Sequence, residues 1–248
     1  GLQYDLEASA MVEEAKKYDL SNLLALRGEI ARGDSVFHDL QGTKEEILKI
    51  EDLLKRNKWQ VSSYMGKNGT EESFLNMHGK SPKLLHLATH GFYYTPNRAE
   101  NVDYLKGYTD AMSLSGLVLS GGNAAWLGKP LPKGVLGGIL SANDIARLDL
   151  SNTDMVVLSA CQTGQGKATS EGLYGLQRAF KKAGVGTIIM SLWNVSDKTT
   201  SEFMITFYER LADKNNAWNK RKAFEEAKEI IRQRRPDPFH WAAFVMLD

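Results

Sequence analysis

Two short stretches of this chain carry residue types suited to covalent chemistry. "LLHLATHGF" is an apolar run from Leu84 with His90 and Gly91 near its far end. "VVLSACQTGQGKATSEG" runs from Val156 to Gly172 and turns polar around Cys161, the only cysteine in the chain. A cysteine nucleophile needs a nearby base or proton relay and some access to solvent. If both apolar runs are strands of one parallel sheet, His90 and Cys161 lie at its carboxyl end, where open α/β sheets form their ligand crevice. Thiol and imidazole then face each other if the two strands are neighbours. A glycine straight after the histidine lets the backbone aim the Gly91 N–H into that crevice. Together with the Cys161 N–H it would form an oxyanion hole, which serves where charge develops in an acyl transfer. A plainer reading stands beside this one. Lone cysteines are often small buried hydrophobes, and the histidine could cap a strand without meeting the thiol. Spacing alone leaves the two readings open.

Other chemistries fit these residues less well. A phosphate loop needs G-x-x-x-x-G-K followed by Ser or Thr. Gly166 and Lys167 are in place, but Cys161 stands at the first glycine and Ala168 at the hydroxyl position. No G-x-S-x-G elbow of a serine hydrolase occurs. The histidines are His38, His78, His86, His90 and His240. His86 and His90 share one apolar run without a third ligand nearby in sequence, so no metal is expected and His86 reads as a satisfied core histidine. One cysteine excludes an internal disulfide and a multi-cysteine zinc site.

The elements that must position this pair follow from the apolar pattern. The runs Lys83–Ala88, Gly116–Ser120, Met155–Ala160 and Val185–Leu192 lack period-two alternation, as parallel strands covered on both faces do. Trp59–Met65 reads as a shorter, partly alternating strand and Trp241–Leu247 as the last one. Between them, "TKEEILKIEDLLKR" opens on a Thr43/Glu46 capping box, and "SANDIARL" opens on a Ser141/Asp144 box. "EGLYGLQRAFKKAG" places Leu173, Leu176 and Phe180 on one face, with Glu171 in its first turn, and ends at a C-cap glycine, Gly184. Strands alternating with helices predict a mostly parallel, three-layer α/β sheet. Asp19–Leu40 reads as a short helix and a linker. Tyr93–Val135 is long and loop-rich around "GLVLS", and loops of that length in a compact domain are usually functional or mobile. Within it Trp126 is either an exposed partner anchor or packing.

Composition bounds the function classes. The chain has 248 residues, 42% hydrophobic and 25% charged, with formal net charge +1. That size and balance fit one α/β domain, with or without an appendage, and neither nucleic acid nor an anionic membrane is expected as a direct partner. No stretch of about 20 apolar residues is present to span a membrane, and the opening "GLQYDLEASA" lacks the form of a signal peptide. A cytoplasmic location is expected.

The combination is similar to a known family. An apolar block ending in His-Gly, a spacer, and an apolar block ending in Ala-Cys resemble the caspase-like cysteine peptidases, which include caspases, separases and gingipains. Within that group the chain most resembles the CHAT domain, often joined to tetratricopeptide repeats. The stretches that carry this include "LLHLATHGF", "SGLVLSGGN", "GILSANDIARLDLSNTDMVVLSACQTGQG", "EGLYGLQRAFKKAGVGTIIMSLWNVSDKTT" and "HWAAFVML". The resemblance implies a caspase-like three-layer αβα sandwich and endopeptidase cleavage of a specific protein partner by a His90/Cys161 dyad without a cofactor. It also implies control by upstream repeats or an activating partner. Some relatives act in bacterial signalling or defence, including on gasdermin-like pore formers. The segment "SLWNVSDKTT" walls the substrate pocket in the family. There a buried Asp197 would favour a basic residue before the cut by charge-assisted pairing, with Trp193 on the same wall. Asp197 could equally just favour the helix it begins. The resemblance divides the chain into residues 1–40, an N-terminal part whose own start is expected upstream of Gly1, and a catalytic core over residues 41–248. The alternative function is a catalytically idle interaction module on the same fold.

Overall fold

The computed structural model describes residues 1–23, 33, 36–93, 112–159 and 170–248, the side chains at 41 and 170–173 excepted. In chain order the elements are α1 (Ala8–Ala15), α2 (Gln41–Arg56), α3 (Glu71–Leu75), β1 (Leu84–Leu87), β2 (His90–Tyr93), β3 (Ser115–Val118), α4 (Gly122–Trp126), β4 (Ile139–Ser141), α5 (Ala142–Ala146), β5 (Met155–Leu158), α6 (Ser170–Lys182), β6 (Thr187–Ser191), α7 (Asp197–Ala212), α8 (Lys220–Arg234), α9 (Pro238–Trp241) and β7 (Phe244–Leu247).

The central sheet has the order β1-β5-β6-β7, with β1, β5 and β6 parallel and β7 antiparallel at the edge. Its two central strands, β5 and β6, are buried along their whole length because both faces are covered. In β5, Met155 and Val157 enter one core with Phe203, Phe207 and Phe224. Val156 and Leu158 enter the other with Leu176 and Phe180. Helices α2, α7 and α8 thus cover one face, and α5 and α6 the other. This is the expected mixed α/β sandwich around a mostly parallel sheet.

Four expectations about elements change. The run around "GLVLS" is not part of the parallel sheet: β3 lies at the centre of a second, antiparallel sheet, β2-β3-β4. It is buried on both faces, so it shows no alternation whichever way its neighbours run. A Cβ at Gly116 would lie 2.4 Å from the Leu140 carbonyl and 2.5 Å from the Phe92 ring, so only glycine lets the three strands close up there. Trp59–Met65 forms no strand ladder among the described residues. A cavity of about 530 Å³, lined by Trp59, Val61, Ser63, Leu84 and His86 among others, adjoins both it and β1. The Thr43/Glu46 capping box is also absent. Helix α2 begins at Gln41 with Leu40 as N-cap, the Thr43 hydroxyl donates to the Leu40 carbonyl at 2.8 Å, and Glu46 is drawn inward to His86. Finally, the last strand is shorter than its apolar run, because Pro238–Trp241 is helical.

The Ser141/Asp144 box is present, with the Ser141 hydroxyl accepting from the Asp144 N–H at 3.1 Å and the Asp144 carboxylate accepting from the Ser141 N–H at 3.2 Å. Gly184 ends α6 with φ +96°, and Val185 N–H donates to the Phe180 carbonyl at 3.0 Å. This is the left-handed closure that glycine makes at little cost. Among the described residues no helix is long and apolar enough to cross a membrane.

Candidate active site

His90 is the first residue of β2, at the point where the chain leaves the parallel sheet. Only Ala88 and Thr89 separate it from the end of β1. The Thr89 side chain fixes the hand-over, its hydroxyl donating to the Val118 carbonyl on β3 and accepting from the Tyr4 phenol at 3.0 Å. The His90 side chain then turns under a cover of aromatic rings. Tyr4 lies 4.9 Å from the imidazole centroid and Phe37 lies 5.2 Å from it. His90 is 5% exposed. Its Nε2 donates to the main-chain carbonyl of His38 at 2.7 Å. A carbonyl can only accept, so Nε2 carries the proton in the neutral ring and Nδ1 is the basic nitrogen.

Burial is the strongest influence on this imidazole and lowers its pKa from the ordinary 6.5. The hydrogen bond to His38 and the charges of Asp197 and Asp39 act in the opposite direction and do not overcome it. At neutral pH His90 is therefore held as a neutral base.

The strand that leads toward the histidine, β1, is the neighbour of β5, the strand that precedes the cysteine in sequence. β1 and β5 pair in parallel, with Leu87 opposite Leu158, and Ser159 N–H extends the ladder to the Leu87 carbonyl at 2.9 Å. His90 lies three positions beyond Leu87 in sequence and Cys161 three beyond Leu158. Cys161 itself, with Gly166, Lys167 and the rest of the loop to Thr169, lies outside the described residues. Gly91 is buried in β2 and pairs with Leu117 on β3.

The remaining candidates are placed as follows. Asp197 is exposed, not buried. It is the first residue of α7, after Ser196, whose hydroxyl accepts from the Thr199 N–H. It also packs beside the start of α2, where a Cβ on Gly42 would lie 3.4 Å from its own Cβ. Trp193 is half-buried, its indole N–H donating to the Phe239 carbonyl at 2.9 Å. Trp126 is 1% exposed within the aromatic cluster of Tyr4, Phe37 and Phe92, so it is packing and not a surface anchor. His86 is the satisfied core histidine the sequence suggests. Its Nε2 donates to Glu46 at 2.8 Å and its Nδ1 accepts from the Tyr208 hydroxyl at 3.1 Å. Among the described residues no group of three or more His, Cys, Asp or Glu side chains is arranged to hold a metal.

A family model described as the CHAT domain matches residues 8–248. The chain belongs to the CHAT domain family. That family is caspase-like, in agreement with the sheet just described. Among curated proteins, this CHAT domain chain is 32% identical over 111 residues to mouse tetratricopeptide repeat protein 28, and 31% identical over 111 residues to the human protein of the same name. Each match takes in 44% of this chain and 4% of the relative.

The surroundings of His90 were less legible in sequence than His90 itself. Tyr4, Phe37 and the His38 carbonyl come from the polar, mixed first forty residues, where no periodicity marks a contact 52 residues distant from His38. One signal was present: a lone amide, Asn123, in "SGGNAAW", between an apolar strand and a tryptophan.

Proposed function

We propose that this CHAT domain is a cysteine endopeptidase that cleaves a specific protein partner with His90 as base and Cys161 as nucleophile. The observation that supports it most is the parallel β1–β5 register, which sets side by side the ends of the two strands that precede His90 and Cys161 in sequence. In this reading the His90 Nδ1 takes the thiol proton and Cys161 Sγ bonds to the scissile carbonyl carbon. The C–N bond breaks as the imidazolium returns the proton to the leaving amine, and water then hydrolyses the thioester. The N–H groups of Gly91 and Cys161 stabilise the oxyanion. Trp193 and Asp197 form the wall that receives the residue before the cut. The chemistry needs no cofactor.

Control by upstream repeats or an activating partner belongs to the same proposal. Both curated relatives are named as tetratricopeptide repeat proteins, and the chain spans about 4% of their length.

Cys161→Ala and His90→Ala are each expected to abolish cleavage of a partner, by on the order of 10⁴-fold or more for members of a catalytic unit, with the fold intact by circular dichroism. Cleavage that persists in Cys161→Ala would sink the assignment. The burial of His90 under Tyr4 and Phe37 favours a second reading, an idle interaction module with a closed crevice. A fluorescent peptide ketone with a basic terminal residue separates the two. Labelling of Cys161 that depends on His90 marks the enzyme, and labelling indifferent to His90 marks the module.

A further inference from the structure

We propose that Asn123 is a positioning residue for His90, holding in place both chain segments that enclose the imidazole. The inference rests on the reading of His90 as the base, and it is carried by hydrogen bonds that reach His90 only through other residues.

The two segments come from distant parts of the chain. One carries Tyr4 and the other carries Phe37 and His38. Asn123 grips each. Its backbone N–H donates to the Tyr4 carbonyl at 3.2 Å. Its side-chain oxygen accepts from the Phe37 N–H at 2.8 Å, and its side-chain nitrogen donates to the Phe37 carbonyl at 3.0 Å. The next carbonyl along, His38, is the one that accepts from the His90 Nε2. Asn123 is 1% exposed, so both bonds are made out of competition with water, where an unmade one is costly.

The residue type fits the task. Matching both the N–H and the C=O of one residue takes a donor and an acceptor on one short planar group, which the asparagine amide supplies. Aspartate would offer only acceptors and would face the Phe37 carbonyl with a negative charge. Alanine would release Phe37 while keeping the backbone bond to Tyr4. The short helix α4 that carries Asn123 follows directly on β3, and β3 pairs with β2, so the anchor and the histidine ride on one sheet.

Two readouts test the clamp without relying on proteolysis. In histidine-labelled chain, nuclear magnetic resonance follows the His90 titration and the solvent exchange of its Nε2 proton. In the wild type the Nε2 proton exchanges slowly and titration lies below 6.5. In Asn123→Ala the Phe37–His38 strap loosens, water reaches the ring, and burial, the dominant influence, weakens. The titration then moves up toward 6.5 and Nε2 exchange accelerates at least tenfold. The groups facing the ring, Tyr4, His38, Asp39 and Asp197, remain present in the variant. Gly184→Ala, a destabilising change elsewhere, is the control and leaves both readouts where they were. An Asn123→Ala chain with unchanged His90 titration and exchange overturns the proposal. Should that variant fail to fold, the wild type decides. Phe37 amide exchange as slow as that of β3 supports the clamp, and exchange at the rate of an open loop overturns it. The dyad is tested separately by alkylation of Cys161 with iodoacetamide. A rate unaffected by His90→Ala removes the dyad and leaves the clamp standing.

Discussion

On the proposed reading, His90 joins two demands that pull against each other, a base for a nucleophile and a ring sealed under Tyr4 and Phe37. The cost of sealing is visible in pH dependence. Burial lowers the folded-state pKa below 6.5, so between that folded value and 6.5 the unfolded chain binds the proton more readily than the native one. Stability contributed by His90 is therefore complete above 6.5, is lost as pH falls through that window, and levels off below the folded pKa. Urea titrations between pH 8 and pH 5 are expected to show this slope, and His90→Asn to flatten it. An unchanged slope in the variant would assign the acid sensitivity to other groups. Asp197 makes a different test at the same scale. Exposed at the start of α7, it leaves its carboxylate accessible to a basic substrate side chain. Mass-spectrometric mapping of cut sites in a peptide library is expected to show Arg or Lys before the cut, and Asp197→Ala to lose most of that preference. A bias for apolar or acidic residues that survives Asp197→Ala would leave the carboxylate with only its helix to serve.

Single elements place the site by closing where they must. Gly184, with φ +96°, stops α6 so that β6 can start; a Cβ there would meet the Ser151 backbone at 2.9 Å. Gly184→Ala is expected to cost roughly 1–3 kcal/mol, read as a lower melting temperature with the same native spectrum. No loss would mean that the turn relaxes freely. The glycine was legible because a left-handed closure after an amphipathic run has few other residues to use. β5 and β6 were legible for a similar reason: covered on both faces, they show apolar runs without alternation. β3 shows the same pattern and lies in another sheet, since burial erases the alternation that separates antiparallel from parallel pairing. The Thr43/Glu46 pair had the spacing of a capping box, yet Glu46 has a stronger partner in His86, a tertiary contact 40 residues away that outweighs a local one. Trp59–Met65 had the alternation of a strand but finds no ladder partner among the described residues. The site divides in the same way. His90 and Gly91 could be read from a strand end, whereas the carbonyl, rings and amide around the histidine come from segments with no regular pattern.

At the scale of the molecule, the family match from residue 8 to residue 248 makes nearly all of the chain one CHAT domain, and the relatives carry far more sequence besides. We expect the chain alone to cleave more slowly per molecule than a longer protein that includes its repeats and trigger. The closed aromatic cover on His90 favours a resting population, and a partner would shift it without adding a catalytic group. Equal rates would leave the additional sequence a role in choosing substrates only. The hand-over from β1 to β2 sets the mechanical terms of any such shift. Two residues, Ala88 and Thr89, join the parallel sheet to the antiparallel one, and the three steps from Leu87 to His90 span only about 10 Å even fully extended. The small sheet is therefore tethered closely to the parallel one at this point. A pull or twist on it bears on the sheet's first residue, His90, through a tether with short travel. On the proposed reading, activation is expected as a small displacement of the imidazole delivered through the backbone.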